Sequence, residues 1–326
     1  MDFQSEKGLV LEHFAALDQA SPKTLTSAFR TRVTTDYIWR GFHPFGELHG
    51  AEAVVPTFWQ PLKRAMTSLR RRQDIFFAGL NEIDGFQSVW VCSMGHLMGL
   101  FDHAWLDIRP TGKLTFLRYA EFNRVEAGQI AETAMFFDIP HLMAQAGQPL
   151  FPDQAAQHLI QPGPAGNDGL LLAPQDPTSG AKTLAVINAM ISDLGTWGLG
   201  LPLEEELART WQDDMLWWGP EGIGATYTIE RYARQHSGPF RAAFSDRSPT
   251  RHICRMAEGN FGGFFGWPNF SATMSGSYLG GDATGQRHEF HVIDIYRRDG
   301  DKLAENWVFI DLMQIWQAIR HTNLST

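Results

Sequence analysis

Four carboxylates occupy repeated positions in this chain and are its first candidates for proton transfer. Asp138 and Asp311 each end a predicted strand, directly before an amphipathic segment typical of a helix. Glu121 and Asp294 stand on the preceding predicted strand, in the stretches RYAEFN and HVIDIY. A carboxylate in an apolar pocket has a raised pKa, and such a group can remove a proton from the carbon beside a carbonyl. The predicted chemistry is therefore catalysis by a pocket carboxylate that acts as acid and base.

Each of these carboxylates also has a structural interpretation. An aspartate directly before a helix accepts hydrogen bonds from free backbone N–H groups, and Asp311 has Gln314 at the spacing of a capping box. Glu121 and Asp294 would instead pair with lysine or arginine if they lay on the outer face of the sheet. The sequence leaves both interpretations open.

Side chains that could hold a substrate surround these acids on the predicted strands. Counting back from the hairpin turns, we expect Asn306 to face Asp294 and Thr133 to face Glu121 across the last two strands. The period-two pattern places further residues on the same face, namely Tyr119, Asn123, Met135 and Phe137 in one copy and Val292, Tyr296, Val308 and Ile310 in the other. That face mixes polar and apolar side chains, as substrate pockets do.

Three more side chains are candidates for a pocket wall. Trp39 and Trp217 stand at the same place in two predicted Trp-Gly turns, YIWRGF and MLWWGP, and flat rings bind apolar ligands well. His96 lies in the middle of a predicted strand of small residues, SMGHLMG. Packing in the core is an open alternative for all three.

Other chemistries lack the residues that they need. His288 and His291 flank Glu289, but residues three apart on a strand point to opposite faces, so no metal site is expected. The glycine-rich stretches EGIGATY and EGNFGGFFG do not match a dinucleotide fingerprint, and the second is predicted to be a loop between strands. We therefore expect no cofactor.

Composition narrows the class of partner. The formal charge of -9 and the pI near 5.7 weigh against binding to nucleic acid or to an anionic membrane surface. The one basic run, LRRRQD at 69–74, is predicted to be a solvated loop between a helix and a strand. The N-terminal stretch is charged and amphipathic, unlike a signal peptide, and no apolar run approaches the roughly 20 residues of a membrane span. We expect a soluble cytoplasmic protein with a hydrophobic small-molecule ligand.

The elements that must position these residues occur twice. The segment Thr111–Asp138 aligns with Thr284–Asp311 without a gap, and seven residue identities recur at one offset. Each half begins with a segment of helical periodicity, at 7–20 and 182–194. A Trp-Gly turn and a second predicted helix, which contains PLKRAM or PFRAAF, follow it. Alternating segments typical of antiparallel strands follow.

This order predicts two α+β domains, each with a curved antiparallel sheet that helices cover and that encloses a pocket. The domains are predicted at 1–147 and 181–326, and the segment 148–180, rich in proline and glycine, is predicted to be the linker.

The same order, with the ending DGDKLAENWVFIDLMQIWQAI, resembles the SnoaL-like polyketide cyclases of the nuclear transport factor 2 (NTF2) superfamily. It resembles in particular the tandem members known as ester cyclases, and the resemblance covers nearly the whole chain, twice. It implies a cone-shaped α+β barrel with a deep apolar pocket in each half. It also implies a dimer that the two halves form within one chain, with a larger homo-oligomer left open.

The resemblance bears on the acids as well. In these cyclases the catalytic aspartate lies on the last strand, where this chain has Met135 and Val308, and an active-site histidine falls on Glu121 and Asp294. Both copies thus have a carboxylate in place of the histidine, which suggests that the acid has moved to the neighbouring strand.

Two classes of function follow from these observations. The first is a cofactor-independent cyclase, isomerase or dehydratase that acts on a hydrophobic carbonyl compound. The alternative is a binding or accessory protein with degenerate pockets, which Met135 and Val308 favour. A third interpretation makes one half catalytic and the other half a structural partner.

Overall fold

The computed structural model describes residues 2–156, 160–195 and 200–323, so the parts of the predicted linker and second domain at 157–159 and 196–199 lie outside the described residues. Two compact units share the chain. The first comprises Met1–Leu150 with Leu159–Pro174, and the second comprises Phe151–His158 with Gln175–Thr326. The predicted linker is thus divided between the units, and the predicted boundaries at 147 and 181 stay a prediction.

The first unit combines short helices with long strands. Its helices are α1 (Gln4–Gln19), α2 (Leu25–Arg30), α3 (Ala51–Val54), α4 (Gln60–Ala65) and α5 (Ile139–Gln145). Its strands are β1 (Val33–Gly41), β2 (Gly46–His49), β3 (Met66–Leu80), β4 (Val89–Phe101), β5 (Leu114–Glu126) and β6 (Gln129–Phe137). A π-helical turn, Val55–Trp59, joins α3 to α4.

The second unit repeats this order. Its helices are α6 (Pro177–Gly195), α7 (Leu203–Ala208), α8 (Ile229–Tyr232), α9 (Gly238–Ala243) and α10 (Leu312–Asn323). Its strands are β7 (Trp211–Trp218), β8 (Ala225–Tyr227), β9 (Phe244–Pro249), β10 (His252–Glu258), β11 (Phe261–Met274), β12 (Arg287–Asp299) and β13 (Lys302–Ile310). A second π-helical turn, Ala233–Ser237, joins α8 to α9. No described helix has both the length and the apolar character needed to cross a membrane.

The two sheets have the same topology. The strand order is β2-β1-β6-β5-β4-β3 in the first unit and β8-β7-β13-β12-β11-β10 in the second, where β9 also pairs with β11. The predicted α+β class and its tandem arrangement are therefore confirmed. The internal dimer of the two halves stays a prediction.

The sheets are mixed, whereas the sequence pattern predicted antiparallel strands alone. Strand β1 runs parallel to β6, and β7 runs parallel to β13. Parallel neighbours need a long connection, and here the rest of each unit provides it. In each unit the last strand along the chain thus lies beside the first strand.

Two segments predicted to be loops are strands. The basic run at 69–74 lies within β3, where the alternation of a strand turns Arg71 inward while Arg70 and Arg72 are exposed. The stretch EGNFGGFFG contains a tight turn only at 259–260, and Phe261 already begins β11. Glycine is uncommon in strands, but the pairing of β11 with β10 and with β12 on its two edges overrides that preference.

The hairpins β5–β6 and β12–β13 each carry a β-bulge close to their turn, and the register of these strands differs from the predicted one. Asp294 pairs with Val308 and Glu121 pairs with Met135, so neither acid lies directly opposite Asn306 or Thr133. The bulge accounts for one residue of this difference. The other comes from the turn itself, which Asp299 and Lys302 close in one copy and Glu126 and Gln129 close in the other, one residue away from the position used in counting. Because the difference is two residues, the side chains predicted to share a face still do so.

The tryptophans of the predicted Trp-Gly turns belong to strands β1 and β7, and only the chain after them turns. Each ring lies flat against the glycine two residues later. A Cβ on Gly41 would stand 2.2 Å from Cη2 of Trp39, and one on Gly219 would stand 2.1 Å from Cζ3 of Trp217. The repeated W-x-G spacing is therefore a packing requirement.

We expect Gly219→Ala to lower the free energy of unfolding by about 1–3 kcal/mol, because the new methyl group must displace the buried Trp217 ring. Urea unfolding monitored by tryptophan fluorescence measures the change. Gly8→Ala is the control, since nothing lies within 4 Å of a Cβ at Gly8 in α1. Alanine there leaves stability unchanged or raises it by up to about 1 kcal/mol. Equal stabilities of the two variants would contradict the packing argument.

Candidate active site

A cavity of about 150 Å³ lies in the second unit, between one face of the sheet and the helices that cover it. The sheet contributes six residues that the period-two pattern placed on one face, namely Val292, Asp294, Tyr296, Asn306, Val308 and Ile310. An apolar cavity of this volume is large enough for a ligand of about one aromatic ring. The cavity therefore brings the predicted acid together with polar and apolar side chains.

Asp294 is the acid of this cavity. Burial raises the pKa of its carboxyl to about 7, and the hydrogen bonds from Asn306 and Tyr296 and the charge of Arg247 oppose that rise only in part. Its accessible surface faces the cavity. A carboxyl with this pKa is present in both protonation states near neutral pH, which is the property of an acid and base catalyst.

The two neighbours of Asp294 are held in place. The Asn306 side chain donates a hydrogen bond from Nδ2 to the carbonyl oxygen of Ile295 at 2.9 Å, which orients the amide. Burial, and then the negative charge of Asp294, raises the pKa of Tyr296 well above its ordinary value. The tyrosine therefore keeps its proton and can donate it in a hydrogen bond to the carboxylate.

Trp217 and His236 form another part of the wall. Their rings stack with centroids 4.0 Å apart and planes 19° apart. Burial lowers the pKa of His236 to about 3, so the imidazole is neutral at physiological pH. Sequence analysis missed His236, although aligning PLKRAM with PFRAAF places it on Phe58 and would have shown a polar residue in one copy only.

The cavity wall also carries two arginines, Arg241 and Arg247. Arg241 makes two hydrogen bonds to the carboxylate of Glu206, at 3.2 and 2.6 Å. Burial, and then the charge of Arg241, lowers the pKa of Arg247, whose guanidinium lies 4.6 Å from the centroid of the Phe270 ring. Glu206 offsets the charge of Arg241, whereas the charge of Arg247 acts on Asp294 and lowers the pKa of that carboxyl against the larger effect of burial.

The acid of the first unit is neutralised by an arginine. Nη1 of Arg71 lies 3.0 Å from Oε2 of Glu121, and the two side chains are 4% and 3% exposed. The guanidinium also lies 3.8 Å from the centroid of the Phe14 ring and 4.4 Å from that of Tyr119. Arg71 thus occupies the space beside Glu121. Glu121 therefore has the cationic partner that the structural interpretation required, but the pair is buried inside the unit and does not lie on an outer face of the sheet.

The hydrogen bonds around Glu121 complete a closed network. Asn123 donates from Nδ2 to Oε1 of Glu121 at 3.0 Å, and Thr133 donates from Oγ1 to Oδ1 of Asn123 at 2.7 Å. Oη of Tyr119 lies 2.8 Å from Oγ of Ser93. Tyr119 and Thr133, which were predicted to hold a substrate, therefore make hydrogen bonds to neighbouring side chains of the protein.

The ladder explains why only one unit has this arginine. Arg71 pairs with Leu97, and Leu97 pairs with Leu117 on β5. At the matching place in the second unit, Phe290 on β12 pairs with Phe270, and Phe270 pairs with Pro249. A proline thus stands where the first unit has the arginine that reaches the acid.

Trp39 and His96 belong to the first unit and are not among the residues that line the cavity described above. Trp39 is buried and packs against Phe58 and Phe137. Nδ1 of His96 lies 3.3 Å from Oδ2 of Asp74. His96 stands next to Gly95, the ladder partner of Tyr119, and therefore points to the opposite face of the sheet from Tyr119.

Asp138 and Asp311 cap helices. Oδ1 of Asp138 accepts a hydrogen bond from the backbone N–H of His141 at 3.1 Å, and Oδ1 of Asp311 accepts one from that of Gln314 at 3.2 Å. Neither carboxylate belongs to the wall of the cavity described above. Among the described residues, no group of three His, Cys, Asp or Glu side chains is arranged to hold a metal ion.

One known protein family matches a part of the chain that includes residues of the cavity wall. The profile of the SnoaL-like polyketide cyclase family matches residues 206–319. These residues are similar to that family. The match bears out the resemblance seen in the sequence over these residues. Val308, where that resemblance leads us to expect an aspartate, is the ladder partner of Asp294.

Several solved structures align with this chain. AclR of Streptomyces galilaeus has 20% identity and a TM-score of 0.36 over 44% of this chain and 98% of its own. IdmH of Streptomyces antibioticus, whose assignment as a polyketide cyclase is provisional, has 15% identity and a TM-score of 0.36 over 44% and 99%. An NTF2-like protein of Burkholderia thailandensis E264 has 24% identity and a TM-score of 0.32 over 44% and 97%. A comparison with curated proteins gave no match.

We expect Glu121→Gln to lower the free energy of unfolding by about 3–5 kcal/mol, because Arg71 is left buried without a compensating charge. Glu126→Gln on the same strand is the matched control, since its ion pair with Arg124 is exposed and contributes less than about 1 kcal/mol. Urea unfolding of both variants measures the difference. Similar losses in the two variants would show that the buried pair has no special role.

We expect Asp294→Asn to change how stability depends on pH. The folded-state pKa of Asp294, about 7, lies above the unfolded value of about 4, so this carboxyl contributes stability below about pH 4 that is lost as the pH rises through about 7. The stability of the wild type relative to the variant should therefore fall between about pH 4 and 7, by up to about 1.4 kcal/mol per pH unit. Urea unfolding across this range measures the difference. Asp311→Asn is the control because asparagine also caps helices, and a flat difference for Asp294→Asn would contradict the raised pKa.

Proposed function

We propose that the second unit is an enzyme that transfers a proton at the carbon beside the carbonyl group of a hydrophobic small molecule. The observation that carries this proposal is Asp294, a carboxyl in the wall of a cavity with a pKa of about 7. The match of residues 206–319 to the SnoaL-like polyketide cyclase family supports chemistry of the cyclase or isomerase type. The same match supports a hydrophobic ligand.

The reaction begins with Asp294 in its ionised form. The carboxylate removes a proton from the carbon beside the carbonyl, and the electron pair of the C–H bond moves to the carbonyl oxygen to give an enolate. In a cyclisation the enolate carbon attacks a second carbonyl of the same molecule, and Asp294 gives its proton to the alkoxide that forms. In an isomerisation the enolate is conjugated with a double bond, and Asp294 gives its proton to a different carbon of the conjugated system. In a dehydration the enolate expels a hydroxyl group from the next carbon, and Asp294 gives its proton to that group, which leaves as water.

The position of Asp294 favours an enzyme over a binding protein that has lost its acid. Val308 stands where the resemblance places the catalytic aspartate, and it is the direct ladder partner of Asp294. Paired residues on one face of an antiparallel sheet have their Cβ atoms about 5 Å apart. The carboxylate has therefore moved across one strand while staying at the same part of the cavity.

The two units have different roles in this proposal. Asp294 lies in a cavity wall, whereas Glu121 is held by Arg71 and Asn123 in a closed network. A base that is already bound by a buried guanidinium cannot reach a substrate proton. The second unit is therefore the catalytic half and the first unit is the structural half.

Exchange of carbon-bound protons for deuterium tests this proposal without knowledge of the natural substrate. Phenylacetone is a suitable probe, because it has one ring and acidic protons beside its carbonyl. In D2O the protein should accelerate the loss of these protons, as seen by proton NMR. Asp294→Asn should slow the protein-dependent exchange by about 100-fold or more. The rate should also rise with pH and level off above about 7, since the base acts in its ionised form.

Asp311→Asn is the control variant for this experiment, because it makes the same chemical change at a carboxylate that caps a helix. Its exchange rate should equal that of the wild type. If the wild type gives no exchange above the buffer rate, or if Asp294→Asn exchanges as fast as the wild type, the enzyme proposal fails and a binding or accessory role becomes the better conclusion.

A further inference from the structure

His236 is a polar residue in a place where packing requires only an aromatic ring. It is the fourth residue of the π-helical turn Ala233–Ser237, and Phe58 is the fourth residue of the matching turn Val55–Trp59. Phe58 packs against Trp39 at 5.2 Å between centroids, as His236 packs against Trp217 at 4.0 Å. Phenylalanine thus provides the ring contact with tryptophan in the first unit, so this contact does not require the two ring nitrogens of His236.

Those nitrogens make no hydrogen bond to any residue that the structure describes. Nδ1 of His236 is buried and has no partner. Nε2 has no partner either, but it is not among the buried polar atoms, so it keeps access to the cavity that the residue lines. An unpaired polar atom inside a protein is costly, and a catalytic role is one of the recognised reasons for keeping such an atom.

The tautomer of the His236 imidazole determines which ring nitrogen can donate a hydrogen bond. A neutral imidazole has one N–H donor and one acceptor nitrogen. An N–H on Nδ1 would be buried with nothing to accept it, whereas Nε2 is the ring nitrogen that stays accessible on a residue of the cavity wall. The cavity therefore presents a neutral hydrogen-bond donor as well as the acid Asp294.

We propose that His236 is a second catalytic residue, which donates a hydrogen bond from Nε2–H to the carbonyl oxygen of the bound compound as the enolate forms. This inference rests on the function proposed above. When Asp294 removes the proton from carbon, the oxygen gains negative charge and its hydrogen bond to His236 becomes stronger. The proton of His236 stays on nitrogen throughout, and the proton on Asp294 returns to carbon or exchanges with water.

The ligand class follows from the same geometry. A flat ring lies against the apolar side chains of the wall, and its oxygen substituent points to His236. Ring-bearing ketones and their enols meet these requirements, and so do phenols, which are stable mimics of an enol. Hydrocarbons of the same size lack the oxygen and gain nothing from His236.

Binding measurements with two small probes test the inference independently of turnover. Isothermal titration should show that wild-type protein binds p-cresol more tightly than toluene. His236→Phe, which copies the residue of the first unit, should weaken p-cresol binding by about fivefold to tenfold and leave toluene binding unchanged. Equal effects on both probes, unchanged p-cresol binding, or no preference for p-cresol in the wild type would overturn the proposal.

Kinetics of phenylacetone exchange separate catalysis from packing. His236→Phe should lower kcat by about 100-fold with little change in KM, as loss of an enolate-stabilising donor does. His236→Gln, which restores an N–H donor, should recover part of that loss. A fall in both variants with unchanged p-cresol binding would assign His236 a structural role and overturn the inference. A p-cresol preference that depends on His236, without exchange that depends on Asp294, would instead retain the binding role and remove the enzyme proposal.

Discussion

A carboxylate on the covered face of a sheet must either be paired with a cation or be kept partly protonated, and this constraint governs both halves of the chain. The first unit satisfies it with Arg71, which lies 3.0 Å from Glu121. The second unit satisfies it by raising the pKa of Asp294 to about 7 within a cavity. One acid thereby becomes part of a stable core, while the other remains able to exchange a proton.

The packing of tryptophan on glycine sets the frame around these acids. Trp39 and Trp217 lie flat on Gly41 and Gly219, so each ring is fixed relative to its sheet and presents its other face to the π-helical turn. A π-helical turn inside a helix is often found at functional sites, since it changes where the following side chains point. In one copy the ring meets Phe58 and in the other it meets His236, so one scaffold supports either a closed core or a polar cavity.

The sequence predicted much of this arrangement from period and repetition. Alternation along the last two strands placed Asp294, Tyr296 and Asn306 on one face, and all three lie in the cavity wall. Capping by Asp138 and Asp311 followed from their positions before helices. The direct pairing of Asp294 with Asn306 was wrong because the exact closing pair of the turn and the extra residue of a bulge each shift the register by one residue, and the alternation reveals neither. The basic run was misjudged because the tendency of arginine to stay solvated does not predict a buried ion pair.

The sequence by itself determined the duplicated α+β fold, the residues that share a sheet face and the acids they carry, because these depend on local spacing along each strand. The tertiary structure alone decided which acid is paired with a buried arginine and which acid lines a cavity. That outcome depends on a residue from a distant strand, Arg71 in one unit and Pro249 at the matching ladder position in the other. The charge next to a buried carboxylate is set by what the ladder brings beside it, and no local pattern encodes that neighbour.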